Sequence, residues 1–310
     1  MIGILLLLCV ILAILLGGGY YAYRIAFYSP LKNRDQVPSP HDPQYDPYRP
    51  EIKRIYHQLK ERSYETVTVQ SYDGLTLSGR YYHVQDGAPL DLCFHGYRSH
   101  PLTDFSGGSE LSFQLQHNLL LVDQRAHGTS EGRTITFGIQ ERLDVLSWVY
   151  YARSRFGSEC RILLYGVSMG AATVLMASEL ELPENVKGIV ADCPYASPMD
   201  IILDVAKKKD MPIPHWLIKP FVILGAKIFG GFDIRETDAI RAVERASIPI
   251  LIIHGEDDRY VPCEMSDIAA HNPQYITRHT FPGAAHGISY LVDKARYQKI
   301  VTEFVNQVLT

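Results

Sequence analysis

The sequence predicts an α/β fold, in which a mostly parallel sheet carries helices on both faces and a small helical cap insertion. Two observations lead to this prediction. Short aliphatic runs alternate with helical stretches from about residue 90 to the C-terminus, which is the pattern of parallel strands joined by crossover helices. A hairpin precedes them, because apolar and polar residues alternate on both sides of Asp73-Gly74 in YETVTVQSYDGLTLSGRYY. The length of 310 residues suits one large domain with appendages.

The first element along the chain is an apolar segment. No charged residue occurs from Ile2 to Tyr23, and these 22 residues would extend roughly 33 Å as a helix, enough to cross a hydrocarbon core of about 30 Å. We therefore expect residues 1–23 to form a transmembrane anchor. A cleaved signal peptide is the alternative, since Gly17–Gly19 offers small residues to a peptidase, but no Lys or Arg precedes the apolar run.

The charges that flank this segment predict its orientation. Arg24, Lys32 and Arg34 follow the apolar run, and no basic residue precedes it. Positive charge is enriched on the cytoplasmic side of membrane spans. We therefore expect a single-pass protein of the cell membrane whose larger part faces the cytoplasm.

Residues 24–62 are expected to link this anchor to the domain. Six prolines between residues 30 and 50 predict an extended spacer, and the apolar face of Glu51–Arg62 predicts a short amphipathic helix after it. The domain itself is expected to occupy residues 63–310, with a helical cap insertion at 194–247. After the hairpin, strands are predicted near Leu90–Phe94, Asn118–Asp123, Arg161–Tyr165, Val186–Ala191, Pro249–His254 and Tyr275–Phe281.

The composition argues against some classes of function. A net charge of −4 and a pI near 6.3 give no electrostatic reason to expect a nucleic-acid partner. Five cysteines without regular spacing form neither a disulfide framework nor a C-x-x-C motif, and no histidines and carboxylates have metal-ligand spacing. We therefore expect no metal and no cofactor, and the sequence does not indicate an oligomeric state.

Residues 161–175, RILLYGVSMGAATVL, carry the most informative motif. An aliphatic strand up to Tyr165 gives way to an alanine-rich helix from Ala171, so the chain reverses between Gly166 and Gly170. These glycines stand two positions either side of Ser168, in the G-x-S-x-G spacing of a nucleophile elbow, where small neighbours let the serine project above the sheet edge. We expect Ser168 to be a nucleophile. A flexible loop before a helix is the alternative.

A nucleophilic serine needs an imidazole to accept its proton and a carboxylate to orient that imidazole. His286 follows a predicted strand in TFPGAAHGISY, and Asp257 and Asp258 both follow another in ILIIHGEDDRYVP. The chain order Ser168, Asp258, His286 agrees with the order in which elbow-type enzymes carry their triad. Asp192 is a rival acid, because it ends the strand that follows the elbow.

Five motifs occur in one order along the chain: FHGYR at 94–98, VDQRAHGTSEG at 122–132, YGVSMGA at 165–171, HGEDDRYVP at 254–262 and PGAAHG at 282–287. With them, the chain from about residue 63 to 310 resembles the α/β-hydrolase superfamily, in its serine aminopeptidase-like and lysophospholipase-like branch. The chain is also similar to membrane-anchored bacterial hydrolases with one N-terminal helix. In that branch the acid lies three places after the H-G pair, which implies Asp258 here.

An oxyanion hole requires two backbone N–H groups aimed at the developing negative oxygen. The elbow geometry predicts that Met169, directly after the nucleophile at a helix N-terminus, supplies one of them. The resemblance implies that Tyr97, which follows His95-Gly96, supplies the other.

Other polar residues of these motifs are expected to have structural roles. We expect His95 and His127 to fix their loops by hydrogen bonds. Asp123 and Arg125 are expected to brace the loop beside the elbow. His254, at the end of a strand, is expected to satisfy buried backbone groups.

Together these residues predict a serine hydrolase that cleaves a carboxylic ester through an acyl-enzyme intermediate. A thioesterase or a serine peptidase would use the same triad, and a non-catalytic binding module on a hydrolase scaffold is the alternative from a different class. The expected substrate is a small-molecule or lipid-like acyl compound. The aromatic residues of the cap either admit an acyl chain or pack on the domain; they are Trp216, Phe221, Phe229 and Phe232.

Overall fold

Eight strands form a single sheet in the computed structural model, which describes residues 2–30, 43–209 and 214–310. Every strand predicted after the hairpin is present, with ends that differ from the prediction by at most two residues. The strands are Glu65–Gln70 (β1), Thr76–Tyr82 (β2), Leu90–Phe94 (β3), Asn118–Asp123 (β4), Ile162–Val167 (β5), Val186–Asp192 (β6), Ile250–Gly255 (β7) and Ile276–Phe281 (β8).

The sheet has the mostly parallel topology that the sequence predicts. Its strand order is β1-β2-β4-β3-β5-β6-β7-β8. β2 pairs antiparallel with both β1 and β4, while the other neighbouring strands are parallel. The carboxyl ends of β3 to β8 therefore meet at one edge, where an α/β sheet carries its functional loops.

Helices cover both faces of the sheet. In the described part of the chain they are Ile2–Ala22 (α1), Arg49–Glu61 (α2), Pro101–Asp104 (α3), Ser106–Gln114 (α4), Glu141–Phe156 (α5), Met169–Ala177 (α6), Pro198–Lys208 (α7), His215–Leu224 (α8), Ala239–Arg245 (α9), Ser289–Val292 (α10) and Lys294–Leu309 (α11). Short π-helical turns occupy Tyr23–Phe27 and Gly225–Phe229, and 3₁₀ segments occupy Pro43–Tyr48 and Cys263–His271.

Burial explains why these segments form strands and helices. β3, β4 and β7 are buried along their whole length, because helices lie on both faces of a parallel sheet. All nine residues of α6 are buried as well, so the turn between β5 and α6 is held between two elements of the core. The helices α7, α8 and α9 follow β6 and precede β7, within the range 194–247 where the sequence predicts a cap insertion.

The N-terminal helix α1 is exposed over most of its length. Together with the turn that follows, the segment Ile2–Phe27 is long and apolar enough to cross a membrane by length and composition, a property that signal sequences share. This agrees with the predicted anchor and leaves the signal-peptide alternative open.

The residues directly after α1 pack on the domain. Phe27 is fully buried, and its ring meets those of Phe137 and Phe232 edge to face, with centroids 5.8 and 5.2 Å apart. The backbone N–H of Ile135 donates a hydrogen bond to the carbonyl oxygen of Phe27 at 2.8 Å. The hydroxyl of Ser29 donates to the carbonyl oxygen of Ala126 at 2.6 Å.

This packing differs from the extended spacer that the prolines predict. Residues 24–29 lie against the domain because burying an aromatic ring such as Phe27 stabilises the contact by about 1.5–3 kcal/mol. Of the spacer expected at 29–50, residues 31–42 lie outside the described residues, and Pro43–Tyr48 form a 3₁₀ segment instead of an extended chain. The predicted helix at Glu51–Arg62 is present as α2, which begins two residues earlier.

Candidate active site

Ser168 occupies the turn between β5 and α6 with a φ of 56° and a ψ of −114°, a conformation that residues with side chains rarely adopt. A Cβ on Gly166 would lie 2.2 Å from the carbonyl oxygen of Gly170, and a Cβ on Gly170 would lie 1.8 Å from that of Phe94. Both positions therefore require glycine, as the motif predicts. The backbone N–H of Ser168 donates to the carbonyl oxygen of Asp192 at 2.8 Å and ties the elbow to β6.

Asp258 and His286 lie in the loops that follow β7 and β8. Nδ1 of His286 is 2.6 Å from Oδ2 of Asp258, and the carboxylate is completely buried. Oδ1 of Asp258 accepts hydrogen bonds from the backbone N–H groups of Tyr260 and Val261, both at 2.8 Å. These bonds fix the carboxylate, which in turn fixes the orientation of the imidazole.

Burial and charge act in opposite directions on this pair. Burial alone would lower the pKa of His286, but the charge of Asp258 and its hydrogen bond raise that pKa above the ordinary 6.5. Burial alone would raise the pKa of Asp258, but the charge of His286 and hydrogen bonds from His254, His286 and the N–H of Val261 hold that pKa well below its usual range. The carboxylate of Asp258 is therefore ionised at neutral pH and stabilises positive charge on the imidazole.

Ser168 and His286 lie in adjoining loops. A Cβ on Gly287 would lie 3.8 Å from Cγ1 of Val167, the residue before the serine. Nε2 of His286 is 3.9 Å from Sγ of Cys193, and in the described part of the chain it has no hydrogen bond to the serine hydroxyl. Catalytic hydrogen bonds are often long before substrate binds. The structure thus brings serine and imidazole to one edge of the sheet without closing the bond between them.

The two alternative acids lie elsewhere. Asp257 is exposed to solvent. Asp192 is buried and accepts a hydrogen bond from the hydroxyl of Tyr297 at 3.2 Å, and burial raises its pKa to about 6. Among the carboxylates that the structure describes, Asp258 alone is hydrogen-bonded to His286, so the geometry favours Asp258.

The expected oxyanion donors border the elbow from two sides. Met169 is the first residue of α6 and is fully buried. Tyr97 follows β3 in the loop His95-Gly96-Tyr97. Within the described ranges, neither of their backbone N–H groups donates a hydrogen bond to another part of the chain. Both groups are therefore available to a ligand atom.

Asp104 is a residue of this site that the sequence motifs do not indicate. Its Oδ2 accepts a hydrogen bond from the backbone N–H of Gly96 at 2.6 Å, and its Oδ1 accepts one from the hydroxyl of Ser99 at 2.5 Å. A Cβ on Gly96 would lie 3.2 Å from Oδ2 of Asp104 and 3.3 Å from Cβ of Ser168. Asp104 therefore clamps the loop that carries Tyr97. No spacing rule marks it, because this contact depends on the position of α3.

The polar residues expected to be structural do make hydrogen bonds that hold loops. Arg125, with Nε 2.6 Å from Oδ2 of Asp144, is buried with its partner. The other contacts are those of His127 Nε2 with the N–H of Arg98 (2.9 Å), His95 Nε2 with the N–H of Gln124 (3.2 Å), Asp123 Oδ2 with the N–H of Thr129 (3.0 Å) and His254 Nε2 with the carbonyl oxygen of Val261 (3.1 Å).

Cys193, Asp258 and His286 offer one ligand atom each within 4.8 Å of one another, as a metal site would. Metal binding requires a thiolate and a free imidazole nitrogen. Burial raises the pKa of the Cys193 thiol well above its usual value, and Nδ1 of His286 is already engaged by the carboxylate. The residues therefore fit a hydrogen-bonded histidine–carboxylate pair better than a metal centre.

The aromatic residues of the cap divide between packing and exposure. Phe232 packs on Phe27. Phe221 contacts α1 at Gly18, and Phe229 contacts the ring of Tyr20, with centroids 5.3 Å apart. Trp216 is exposed. Packing on the N-terminal segment thus accounts for three of the four.

Comparisons with known proteins agree with this architecture. A family model described as "alpha/beta hydrolase fold" matches residues 92–232. The uncharacterized protein YqkD of Bacillus subtilis (strain 168) is 24% identical over 299 residues, which cover 95% of this chain and 93% of YqkD. The esterase Pf2001 of Pyrococcus furiosus superposes with a TM-score of 0.65, at 22% identity, over 82% of this chain and 94% of its own.

A further solved structure, Est1E from Butyrivibrio proteoclasticus with ferulic acid bound, gives a TM-score of 0.58 at 20% identity and covers 78% of this chain and 99% of its own. The sheet topology and these matches define the class of protein. The chain has the α/β-hydrolase fold. A fold alone does not determine an activity, which has to be argued from the site.

Proposed function

We propose that this protein is a serine hydrolase that cleaves carboxylic esters through an acyl-enzyme intermediate. The observation that carries the proposal is a serine on a strained elbow, beside a histidine that a buried carboxylate holds at 2.6 Å. The structural relatives support it, since Pf2001 is an esterase.

In the proposed reaction, the hydroxyl oxygen of Ser168 attacks the ester carbonyl carbon while Nε2 of His286 takes the hydroxyl proton. The N–H groups of Tyr97 and Met169 stabilise the negative oxygen of the tetrahedral intermediate. When the carbon–oxygen bond to the leaving group breaks, the imidazolium returns its proton to the alkoxide, and an alcohol departs. Asp258 stabilises the imidazolium throughout.

Water then releases the acyl group by the same steps. Nε2 of His286 takes a proton from the water as its oxygen attacks the acyl carbon. The bond to Ser168 breaks, the serine oxygen recovers the proton, and a carboxylic acid departs. A thioester or peptide would follow the same course, with a thiol or an amine as the first product.

We favour a substrate with an apolar acyl group. Met169, next to the nucleophile, belongs to a buried apolar cluster that includes Tyr195, Phe137 and Val261. Such surroundings suit a hydrocarbon chain because its burial is favourable by about 25 cal/mol per Å².

We also propose that residues 1–23 anchor the domain in the cell membrane, with the domain in the cytoplasm.

Labelling with a fluorophosphonate probe and hydrolysis of p-nitrophenyl butyrate test the activity. Ser168→Ala should abolish labelling and reduce kcat by roughly 10⁶, as for other serine triads, while circular dichroism stays unchanged. Ser158→Ala is the control, because Ser158 is exposed and its hydroxyl bonds only the neighbouring Glu159. Undiminished labelling of Ser168→Ala would refute the nucleophile. A wild-type protein that is neither labelled nor active would favour a binding module.

A further inference from the structure

The helix α8 of the cap lies in backbone contact with α1. A Cβ on Gly18 would lie 2.5 Å from the ring of Phe221, and a Cβ on Gly225 would lie 2.5 Å from the carbonyl oxygen of Gly19. Glycines at such crossings let two helices approach closely, as they do in membrane helix pairs. The cap is thus packed directly on the segment that is long enough to span a bilayer.

The contacts also give the direction of α8. Gly18 faces Phe221, Gly19 faces Leu224, and Tyr23 faces Gly225, so residue numbers rise together along both segments and the two run in the same direction. Trp216 precedes Phe221 by five residues, which corresponds to roughly 7.5 Å of helix. Trp216 therefore lies beyond the crossing, towards the N-terminal part of α1.

The helix α8 and the π-helical turn after it expose apolar side chains beside basic ones. Trp216 is 72% exposed, Leu217 37% and Ile228 53%. Lys219 and Lys227 are exposed on the same two segments. We call these five residues the cap face. An apolar surface flanked by lysines is typical of segments that lie in the headgroup region of an anionic membrane.

One buried apolar cluster extends from α8, the helix that carries part of the cap face, to the elbow. It contains Ile218 and Val222 of α8, Phe27 after α1, and Met169 beside the nucleophile. The loop that carries the oxyanion donor touches the same segment, since the hydroxyl of Tyr97 donates to the carbonyl oxygen of Ala26 at 2.8 Å. The apolar surroundings of the elbow are therefore continuous with those of α8.

We propose that the cap face lies in the bilayer that α1 spans, so that the active site takes its acyl ester from the membrane. The occupant of the cap face is a lipid surface with anionic headgroups. The cap face is continuous with α1, exposes Trp216 and carries two lysines, and these features together suit such a surface. The substrate part of this inference rests on the proposed hydrolase function, whereas the placement of the cap face does not.

Tryptophan fluorescence tests the placement in the intact protein. The chain has two tryptophans, and Trp148 is fully buried in the domain core while Trp216 lies on the cap face. The full-length protein is reconstituted in vesicles of phosphatidylcholine and phosphatidylglycerol, with or without brominated acyl chains. We expect bromolipid to quench the wild-type emission and to leave Trp216→Phe, which retains only Trp148, unquenched.

Two results would overturn the placement. One is equal emission with and without bromolipid while the wild-type protein remains in the vesicles. The other is a blue-shifted emission from Trp216 that bromolipid does not quench and that shifts to the red when the protein is diluted in lipid. That result would mean that a second copy of the chain, and not lipid, covers the cap face.

Hydrolysis of two substrates, one in vesicles and one in solution, tests whether the active site takes its ester from the membrane. The double variant Trp216→Asp and Ile228→Asp should hydrolyse a long-chain fluorogenic ester in vesicles about tenfold more slowly, since two apolar contacts with lipid are lost. Its turnover of soluble p-nitrophenyl butyrate should be unchanged. Tyr150→Asp is the control, because Tyr150 is 52% exposed on α5, away from the cap face.

The two proposals fail in different ways. A wild-type protein that hydrolyses neither ester would refute the hydrolase function, while bromolipid quenching would still decide where the cap face lies. Equal loss of both activities in the double variant would refute delivery from the membrane.

Discussion

Asp257 and Asp258 are adjacent in the chain, but their side chains point in different directions. The side chain of Asp258 points inward, accepts hydrogen bonds from two backbone N–H groups and is hydrogen-bonded to His286, whereas Asp257 is exposed. Asp258→Asn should therefore reduce kcat by about 10⁴, since the imidazole loses the group that sets its tautomer. Asp257→Asn should change kcat less than about twofold, as surface substitutions usually do. Steady-state hydrolysis of p-nitrophenyl butyrate measures both, and the reverse ranking would assign the acid to Asp257.

The pH dependence follows from the raised pKa of His286. Only the neutral imidazole accepts the serine proton, so kcat/KM should rise with pH and level off above the pKa of His286 in the free enzyme. The charge of Asp258 raises that pKa above 6.5. The midpoint of a kcat/KM profile should accordingly lie above 6.5 and stay unchanged in Asp257→Asn. A midpoint below 6.5 would show that burial outweighs the carboxylate.

The residues of the site differ in how far a sequence can predict them. Ser168 is marked by local sterics, because two glycines are needed where the chain approaches Phe94. Asp258 and His286 are suggested by strand ends and chain order. Asp104 and Cys193 carry no such signal. Each reaches the site through the packing of its own element, and the sequence does not state how α3 lies against the loop at Gly96.

At the scale of elements, the strands are predictable because fully buried parallel strands are short aliphatic runs. β3, β4 and β7 show this pattern. The segment after α1 is not predictable in the same way. Its prolines indicate an extended chain, but its position depends on contacts with residues more than 100 positions away, such as that between Phe27 and Phe137. Contacts of this kind leave no local pattern.

The packing of that segment makes a prediction for stability. Phe27→Ala should lower the free energy of unfolding by about 3–5 kcal/mol, because a fully buried ring is replaced by a cavity. Tyr21→Ala is the control, since Tyr21 is 61% exposed. Thermal unfolding of the full-length protein in detergent measures both. Equal stability of the two variants would mean that residues 24–29 form part of a free spacer, as the prolines alone suggest.

At the scale of the whole molecule, the N-terminal helix, the cap and the elbow form one connected arrangement. α1 packs on α8, the turn after α1 packs beside Tyr97, and Tyr97 adjoins the elbow. Deletion of the first 28 residues would therefore remove side chains from the domain surface as well as the anchor. Deletion of only the first 16 residues would keep the buried Gly19, Tyr23 and Phe27. The comparison of these two chains separates anchoring from packing.

The orientation of this arrangement follows from charge. Arg24 lies two residues after the end of α1, with its guanidinium 4.1 Å from the ring centre of Tyr28. Because basic residues are retained on the cytoplasmic side, a C-terminal reporter enzyme that works only in the cytoplasm should be active, and one that works only outside should not.

The same cells test the anchor itself. The protein should remain in the membrane fraction after carbonate washing and keep its N-terminal residues, since an uncleaved span holds it there. Protease added to whole cells should leave the domain intact and should digest it once the cells are opened. Digestion of the domain in whole cells would show that the domain faces the outside of the cell. A mature chain that begins after Gly19 would show that the N-terminal segment is a cleaved signal peptide and not an anchor. The buried Tyr23 and Phe27 follow that cleavage site, so the domain would keep their packing but would no longer be attached to the membrane.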